Sequence, residues 1–469
     1  MLSQCHTQDS FAARSCLALN LLAVFVIASP VWAQSATAET AAAEVDTASE
    51  AAELDPELQE SLDTAKKASE AAQALTKDSK SGYVDTVDGA TGGTKSVSAE
   101  LVENDRIFDS IFKTRLMDSI GSEYYSFKKS LNDRTGIAFN VDYSFLAMRS
   151  SYSSTGDEEG ASSVFRVYGA WNILKDKSFS KTTLIFKYEH RGAIWGDQTP
   201  RDLGFNTGSA LSTANYKENG WGWTDMYAKL LFNNGRVGVL FGHMDPGDWA
   251  DQHVLLNAWT NLLNDSFYNN PAEAIPKRTF SLVTRFKLGE NWYAGSGVHD
   301  ANGKDNHIDF RQVWDTPELF TWAEVGFQRP DAAFGETTHL HYWHQDERGE
   351  AGVEESWGLA FSSSIVSKYD IKSILRVGYS EGDAAQMRRF VGVATSLPAR
   401  GSDRLLFGAG WGSPPDKSLR DQTTLEIMYR AQVTQHVVIS PDLQVTFNPS
   451  FAAQEDVVTM YGLRFRFTF

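Results

Sequence analysis

Cysteine is almost missing from this chain: of 469 residues only two are cysteine, Cys5 and Cys16. Both lie in residues 1–33, which we predict to be a secretory signal peptide because a basic residue precedes a short apolar run at 17–28. That run is too short to span a bilayer comfortably, which disfavours the alternative of a membrane anchor. A mature chain without thiols excludes disulfides, zinc–cysteine sites and cysteine nucleophiles.

Long apolar runs are also missing. After residue 33 no stretch approaches about 20 consecutive apolar residues, so we predict no membrane-spanning helix. The mean hydropathy of −0.33 is that of a soluble protein, yet 12% of the residues are aromatic. A water-filled membrane barrel has a similar composition, because only alternate residues of each strand face lipid. Nothing in the composition indicates a nucleic-acid partner.

Aromatic residues are absent from 34–82, within a segment rich in alanine and acidic residues. Residues 34–100 carry fourteen Asp and Glu against five Lys, whereas the whole chain has a formal charge of −17. We predict that 34–100 is an extension and linker, partly helical or disordered, that lies in the periplasm. Leucines at helical spacing leave open an amphipathic helix or a weak oligomeric coil. Residues 101–134 predict an amphipathic helical segment before the first strand.

From residue 135 the apolar period changes from helical spacing to two, the period of a strand. The last strand, "YGLRFRFTF", places aromatic and aliphatic residues on one face and Arg464 and Arg466 on the other. We count sixteen such strands in 135–469, and an even number is typical of bacterial barrels. The predicted fold class is therefore an all-β transmembrane barrel of sixteen antiparallel strands.

The connections between these strands alternate between short and long. Short ones include "NNGR" and "TQH", and long ones include the stretch at 245–277. Short periplasmic turns and long external loops are expected of a barrel, whereas a β-sandwich has no reason to show this asymmetry. A solenoid would show a fixed repeat length, and none is present.

Strand parity predicts which charged residues face the water-filled interior. Cations outnumber acids on this predicted face, so we expect a mild preference for anionic or neutral solutes. An alternative is that paired charges only brace the wall. The lumen candidates are Arg166, Lys187, Glu189, Arg191, Arg285, Glu324, Arg376, Glu426, Arg430, Asp442, Arg464 and Arg466.

Three stretches resemble the carbohydrate-selective porins of the OprB family. They are "LFGHMDPGDWADQHVLLNAWTNLLNDSFYNNPAEAIP", "HLHYWHQDERGEAGVEESWGLAFSSS" and the terminal "TTLEIMYRAQVTQHVVISPDLQVTFNP" followed by "GLRFRFTF". The resemblance extends from about residue 130 to 469 and is most specific at the terminal hairpin. It implies passive uptake of sugars through a sixteen-stranded barrel, whereas the acidic extension departs from the simplest members.

The connector at 245–277 is the third long loop, the one that porins commonly fold inward. Carboxylates and amides bind hydroxyl groups, and an indole face packs against C–H groups. The alternatives are a solvated loop, or tryptophans in the interfacial girdle. The candidates for constriction or solute contact are Asp245, Asp248, Trp249, Asp251, Asn257 and Trp259.

The sequence therefore predicts an outer-membrane porin for carbohydrates and other small hydrophilic solutes, in a Gram-negative-type envelope. A general or mildly anion-selective porin, or a structural or adhesive barrel, are the alternatives. We expect no catalytic residue, cofactor or metal site, since the pair His339 and His341 lacks an evident third ligand. Expected partners are solutes, outer-membrane lipid and the barrel-assembly machinery, which Phe469 would engage; a homo-oligomer is possible.

Overall fold

The computed structural model describes residues 79–81, 93–113, 115–173, 180–211, 213, 215–308, 315, 317–329, 332–333 and 335–469. All but Ser79 of these fall within the compact unit Lys80–Phe469. The predicted signal peptide 1–33 and most of the predicted extension 34–100 lie outside the described residues, so those assignments stay predictions.

Sixteen antiparallel strands form one closed barrel in which each strand pairs with its neighbours in sequence. The strands are β1 Ile137–Ser150, β2 Glu159–Asn172, β3 Ser180–Ala193, β4 Gly220–Phe232, β5 Val237–Met244, β6 Thr279–Leu288, β7 Trp292–Asp300, β8 Leu319–Phe327, β9 Thr338–Gln345, β10 Ser356–Val366, β11 Lys372–Glu381, β12 Arg389–Pro398, β13 Arg404–Ser413, β14 Gln422–Gln432, β15 Val437–Phe447 and β16 Val457–Thr468. The barrel closes where β1 pairs with β16, with Tyr143 opposite Phe467. The predicted fold class is confirmed.

The two faces of each strand are inverted relative to a soluble protein. On β14, Leu425 and Ile427 are 40% and 38% exposed, whereas Glu426 between them is 3% exposed. On β16, Tyr461 is exposed and Arg464 is fully buried. Aliphatic side chains on the outside and charged side chains on the inside are the arrangement of a barrel surrounded by lipid.

Exposed tryptophans lie near both ends of the strands. Trp171 and Trp292 lie at the end of the barrel with short connections such as 233–236 and 289–291, which we call the turn end. The opposite end carries the connections 194–219, 245–278 and 301–318 and is called the loop end. It bears the exposed Trp195, Trp221, Trp223, Trp357 and Trp411. Aromatic girdles at both interfaces mark the edges of the lipid-facing band.

Four α-helices accompany the strands in the described residues: α1 Val97–Asp105, α2 Arg115–Thr135, α3 Pro200–Asn206 and α4 Asp265–Tyr268. None of the described helices is long and apolar enough to cross a membrane. The prediction of one continuous helical segment over 101–134 is wrong, because the chain leaves the helical conformation between the end of α1 at Asp105 and the start of α2 at Arg115. There Ile111 and Phe112 donate backbone hydrogen bonds to the β14–β15 turn at 432–433. Ile107 and Phe112 are more than half exposed, so their helical spacing does not mark a buried stripe.

The C-terminal residue is held by both its backbone and its ring. The Phe469 N–H donates to the Val141 carbonyl at 2.9 Å, and the Phe469 carbonyl accepts from Lys128 Nζ at 3.3 Å. Its ring stacks on His436 with 6.1 Å between the ring centroids. The last side chain therefore fastens the closing strand to the turn end.

Deleting Phe469 is expected to reduce the yield of folded barrel by about tenfold and to leave the conductance of the folded fraction unchanged. Loss of one bond in the strand ladder costs only about 1 kcal/mol, so the larger loss of yield would reflect failed assembly. The folded fraction is measured from the gel shift between unheated and boiled samples. Phe451→Ala, at an exposed loop-end position, is the control. A wild-type yield after Phe469 deletion would remove the assembly role.

Candidate pore constriction

Residues 245–278, called loop 3, fold into the barrel instead of covering its mouth. The loop begins with a 3₁₀ turn, Pro246–Asp248. Asp245 caps this turn, because its Oδ1 accepts a hydrogen bond from the Gly247 N–H at 3.0 Å. Trp249 is fully buried and meets Tyr227 of β4 edge to face, with 6.0 Å between ring centroids. A buried indole on the inner wall means that the loop is packed against the barrel from its first turn.

Asp251 joins loop 3 to three strands. Its carboxylate accepts hydrogen bonds from Arg376 of β11 and, at 2.7 Å, from His339 of β9. Its N–H donates to Glu324 of β8 at 3.1 Å, and Glu324 also pairs with Arg285 of β6 at 2.6 Å. These groups are buried, so the loop is fixed here by charge-assisted hydrogen bonds in a region of low dielectric constant.

The far half of loop 3 is fixed by the opposite wall of the barrel. Glu426 of β14 accepts from the two backbone N–H groups at 263–264, at 2.6 and 3.0 Å. Arg464 of β16 donates to the carbonyls of Ala258 and Asn261, at 2.7 and 3.0 Å. Strand side chains therefore satisfy the backbone of a buried loop, which would otherwise leave costly unpaired groups.

Trp259 lies at the centre of a cationic group. The guanidinium of Arg166 lies 4.2 Å from its ring centroid and that of Arg191 lies 5.4 Å from it. Tyr216 packs against the same indole with 5.5 Å between ring centroids. Arginine over a buried indole is a favourable cation–π contact, so Trp259 anchors the loop and does not sit in a membrane girdle.

All twelve lumen candidates have buried side chains on the inner face of the barrel. Most of these side chains form an ion pair with a neighbouring residue of opposite charge. The ion pairs are Arg166–Asp142, Arg466–Asp142 (2.8 Å), Lys187–Asp225, Arg191–Glu189 (2.6 Å), Arg285–Glu324 and Arg376–Asp251. Asp442 accepts from Gln444 at 2.9 Å. Arg430 forms no ion pair with another residue in the described part of the chain. The cationic surplus expected from parity is therefore offset locally by neighbouring acids, including acids of loop 3.

A cavity of about 570 Å³ opens beside loop 3 toward the loop end. Its lining includes Lys95, Asp245, Tyr268, Asn270, Glu273 and Arg278. The Asn270 Nδ2 group meets no acceptor among the described residues. Burial, together with the neighbouring Asp251, raises the pKa of the Glu273 carboxyl well above its usual range. Both side chains belong to the cavity wall and are almost completely buried.

Lys95 meets two acids of loop 3. Its Nζ lies 3.5 Å from Asp245 Oδ2 and 3.4 Å from Asp248 Oδ1, and it donates to the Tyr268 hydroxyl at 2.9 Å. Burial raises the pKa of the Asp248 carboxyl to about 8, against the opposing effect of Lys95 and Lys187. Asp248 is therefore mostly neutral at pH 7, and its ionisation changes the charge of the constriction.

Raising the pH from 6.5 to 9.5 is expected to shift the pore toward cations, because Asp248 gains a negative charge as the pH passes its raised pKa. The charged groups facing it are Lys95, Lys187, Asp225 and Asp245. Reversal potentials in a KCl gradient measure the change. Asp248→Asn should reduce the pH dependence, whereas Asp197→Asn, at an exposed loop position, should preserve it. The remainder is expected from Lys217, which lines the cavity beside loop 3 and whose pKa burial lowers to about 8. Equal pH dependence in both variants would contradict the assignment.

The structure divides the six predicted solute-contact residues into two groups. Asp245 lines the cavity. The other five, Asp248, Trp249, Asp251, Asn257 and Trp259, are almost completely buried and contact the wall or the N-terminal segment. Sequence reasoning missed Lys95, Tyr268, Glu273 and Arg278 as lining residues. The Asn-Asn-Pro run at 269–271 was a usable signal for Asn270, whereas nothing in the sequence around Lys95 indicated an internal position.

The histidine pair belongs to the anchor of loop 3. His341 Nδ1 lies 3.2 Å from Glu324, and His339 binds Asp251. In the described part of the chain, no group of three or more His, Cys, Asp or Glu residues is arranged to hold a metal ion.

Comparison with known families identifies the terminal strands. Residues 366–469, which contain β11 to β16, match the family described as carbohydrate-selective porin, OprB family. The match covers these terminal strands and does not extend to the first ten. The matched region contributes Arg376, Glu426 and Arg464, which hold loop 3 in place. The comparison with curated proteins gave no match.

Solved porin structures share the fold. The high-pH structure of Pseudomonas putida OprB has a TM-score of 0.57 at 13% identity, covering 74% of this chain and 98% of that one. Its low-pH structure has a TM-score of 0.45 at 13% identity, covering 74% and 97%. A triple mutant of the Rhodopseudomonas blastica porin has a TM-score of 0.45 at 12% identity, covering 71% and 100%. At 13% identity the likeness to the high-pH structure supports the fold alone.

Proposed function

We propose that this chain is an outer-membrane porin through which carbohydrates and other small hydrophilic solutes diffuse passively. The observation that carries the proposal is the fixed position of loop 3 inside the barrel, beside a polar cavity. The family match over the terminal strands supports carbohydrate as the solute class. Passive diffusion requires weak and multiple contacts rather than a catalytic group, so we propose no enzymatic activity.

The cavity offers the groups that sugars use. Asp245 can accept from hydroxyls, while Arg278 and Asn270 can donate to them. Tyr268 presents an aromatic ring at the same wall, against which the C–H face of a sugar ring packs. We therefore propose this cavity as the entry site for a neutral sugar on the loop-end side of the constriction.

A general or mildly anion-selective porin is the second candidate. Arg166, Arg191, Arg464 and Arg466 lie close together on the inner wall near Trp259 and Asp142, which favours anionic solutes. In that case small organic acids would pass at least as fast as sugars of the same size. A purely structural or adhesive barrel is the third candidate and would conduct no solute.

Planar-bilayer recordings with and without neutral sugars separate these candidates. We expect discrete conductance steps that millimolar sugar reduces, and liposome swelling that is faster for sugars than for organic acids of equal mass. Steps without sugar block would favour the general porin, and absence of any step would exclude both porin proposals. Asn270→Ala should weaken sugar block while leaving the step size in sugar-free salt nearly unchanged, with exposed Asn234→Ala as the control.

The proposed location is the outer membrane, reached by export with residues 1–33 as the signal peptide. The predicted periplasmic extension requires one correction, since its last residues do not lie outside the barrel. Val97, Ser98 and Glu100 are buried against the inner wall and loop 3. Oligomeric state and the barrel-assembly machinery as a partner stay predictions.

A further inference from the structure

Residues 93–105, called the inner segment, run along the inside of the barrel wall. Within it, Ser98 Oγ accepts from Lys229 Nζ of β4 at 3.1 Å, and Asn104 Nδ2 donates to the Tyr168 hydroxyl of β2 at 2.5 Å. Glu100 pairs with Arg166 of β2 at 2.9 Å. Helix α1 of this segment is therefore bound to the wall along its length.

The same segment also contacts loop 3. Glu100 accepts from Asn257 Nδ2 at 3.1 Å, and Thr94 Oγ1 donates to the His253 carbonyl at 2.8 Å. Gly93 approaches so closely that an added Cβ would lie 2.8 Å from the Asp248 carbonyl oxygen. The segment and loop 3 thus form one packed unit across the interior.

The segment extends from the level of loop 3 to the turn end. Its last helical residue, Asp105, accepts from the Ser81 N–H at 2.8 Å, and Lys80 donates to the carbonyl of Gln435 in the β14–β15 turn. An α-helix with its side chains is about 10–12 Å across, so it occupies a large part of the interior beside loop 3. Solutes must therefore pass through the part of the interior that the inner segment and loop 3 do not fill.

Lys95 is the charge that the inner segment contributes at the cavity. It lines the cavity and lies within 3.5 Å of Asp245 and Asp248. Replacing Lys95 with a neutral residue removes one positive charge from the constriction. It also leaves the neighbouring acids of loop 3 without this cation. An ion responds mainly to charges within about 10 Å at 0.1 M salt, which makes Lys95 more effective than any charge outside the barrel.

We propose that the inner segment is the second wall of the constriction, opposite loop 3, and that Lys95 determines the ion and solute selectivity of the pore. This inference rests on the proposed porin function. It assigns a selectivity role to a segment outside the region that matches the porin family.

The test uses the full chain with Lys95→Met in planar bilayers. We expect the permeability ratio of K⁺ to Cl⁻ to rise about threefold or more at pH 7, and sugar block to weaken as Tyr268 loses its partner. Lys113→Met, with its side chain 80% exposed, is the matched control and should leave both unchanged. Equal behaviour of the two variants would overturn the proposal, while a wild-type chain that forms no channel would instead overturn the porin function.

Chemical rescue separates a charge effect from misfolding. Beyond residue 16 the chain has no cysteine, so Lys95→Cys introduces the only thiol of the mature protein. A methanethiosulfonate reagent carrying an ammonium group should restore the wild-type permeability ratio, and one carrying a sulfonate should raise it further. Lys113→Cys should respond to neither reagent. Failure of both reagents to change the Lys95→Cys channel would place the inner segment away from the path of ions and overturn the proposal.

Discussion

Replacing residues 250–268 with a short Gly-Ser linker is expected to raise single-channel conductance at least about threefold and to abolish block by sugars. The replaced stretch contains Trp259 and the carbonyls that Arg464 holds, so it forms the part of loop 3 that crosses the interior. Its removal widens the pore and also releases the inner segment, which loses its contacts to His253 and Asn257.

The matched control replaces residues 416–418, which are exposed in a connection at the loop end, with the same linker. Its conductance should equal that of the wild type. Both variants must show the heat-dependent gel shift of a folded barrel before they are compared. If the loop 3 variant folds and conducts like the wild type, loop 3 does not form the constriction.

Arg376→Met is expected to lower the stability of the folded protein by about 3–5 kcal/mol, because it leaves the buried Asp251 carboxylate without its strongest partner. His339 still donates to the Asp251 carboxylate, but this bond does not replace the charge of the lost guanidinium. The loop should then leave its position more often, so recordings should show brief openings to a higher conductance. Reversible unfolding in detergent or lipid with urea measures the stability change.

The double variant Asp251→Asn/Arg376→Met removes both charges and should recover about half of the lost stability or more. Arg388→Met is the control, since its pair with Glu381 is partly exposed and such pairs contribute only about 0–1 kcal/mol. If Arg376→Met and Arg388→Met lose the same stability, the Asp251 anchor is no stronger than a surface ion pair.

Local periodicity was sufficient to predict the strands and their two faces. The alternation of Leu425, Glu426 and Ile427 predicts both a strand and its two faces, because side chains of a strand point to opposite sides with period two. The structure confirms sixteen strands within 135–469, the number and the region that the sequence predicted. Alternation alone did not decide whether the apolar face met a core or lipid; the exposure of Leu425 and Ile427 does.

The constriction was less accessible to sequence reasoning. Asp251 and Trp259 belong to the predicted inward loop, but they fasten it to Arg376 and Arg166, which are far away in the chain. Periodicity has no information on such partners, since a loop side chain has no fixed direction. The residues that line the cavity are therefore Asp245 and others such as Tyr268 and Arg278.

By itself, the sequence determined the strands, their two faces, the alternation of short and long connections, and the resemblance of the terminal hairpins to the OprB family. These are properties of neighbouring residues, and strand geometry translates them directly into structure. The tertiary structure alone decided that residues 93–105 enter the barrel and that Lys95 meets Asp245 and Asp248. The physical reason is that an acidic, polar helix is as compatible with bulk water as with a charged interior, and only the facing residues Arg166 and Lys229 make the interior its position.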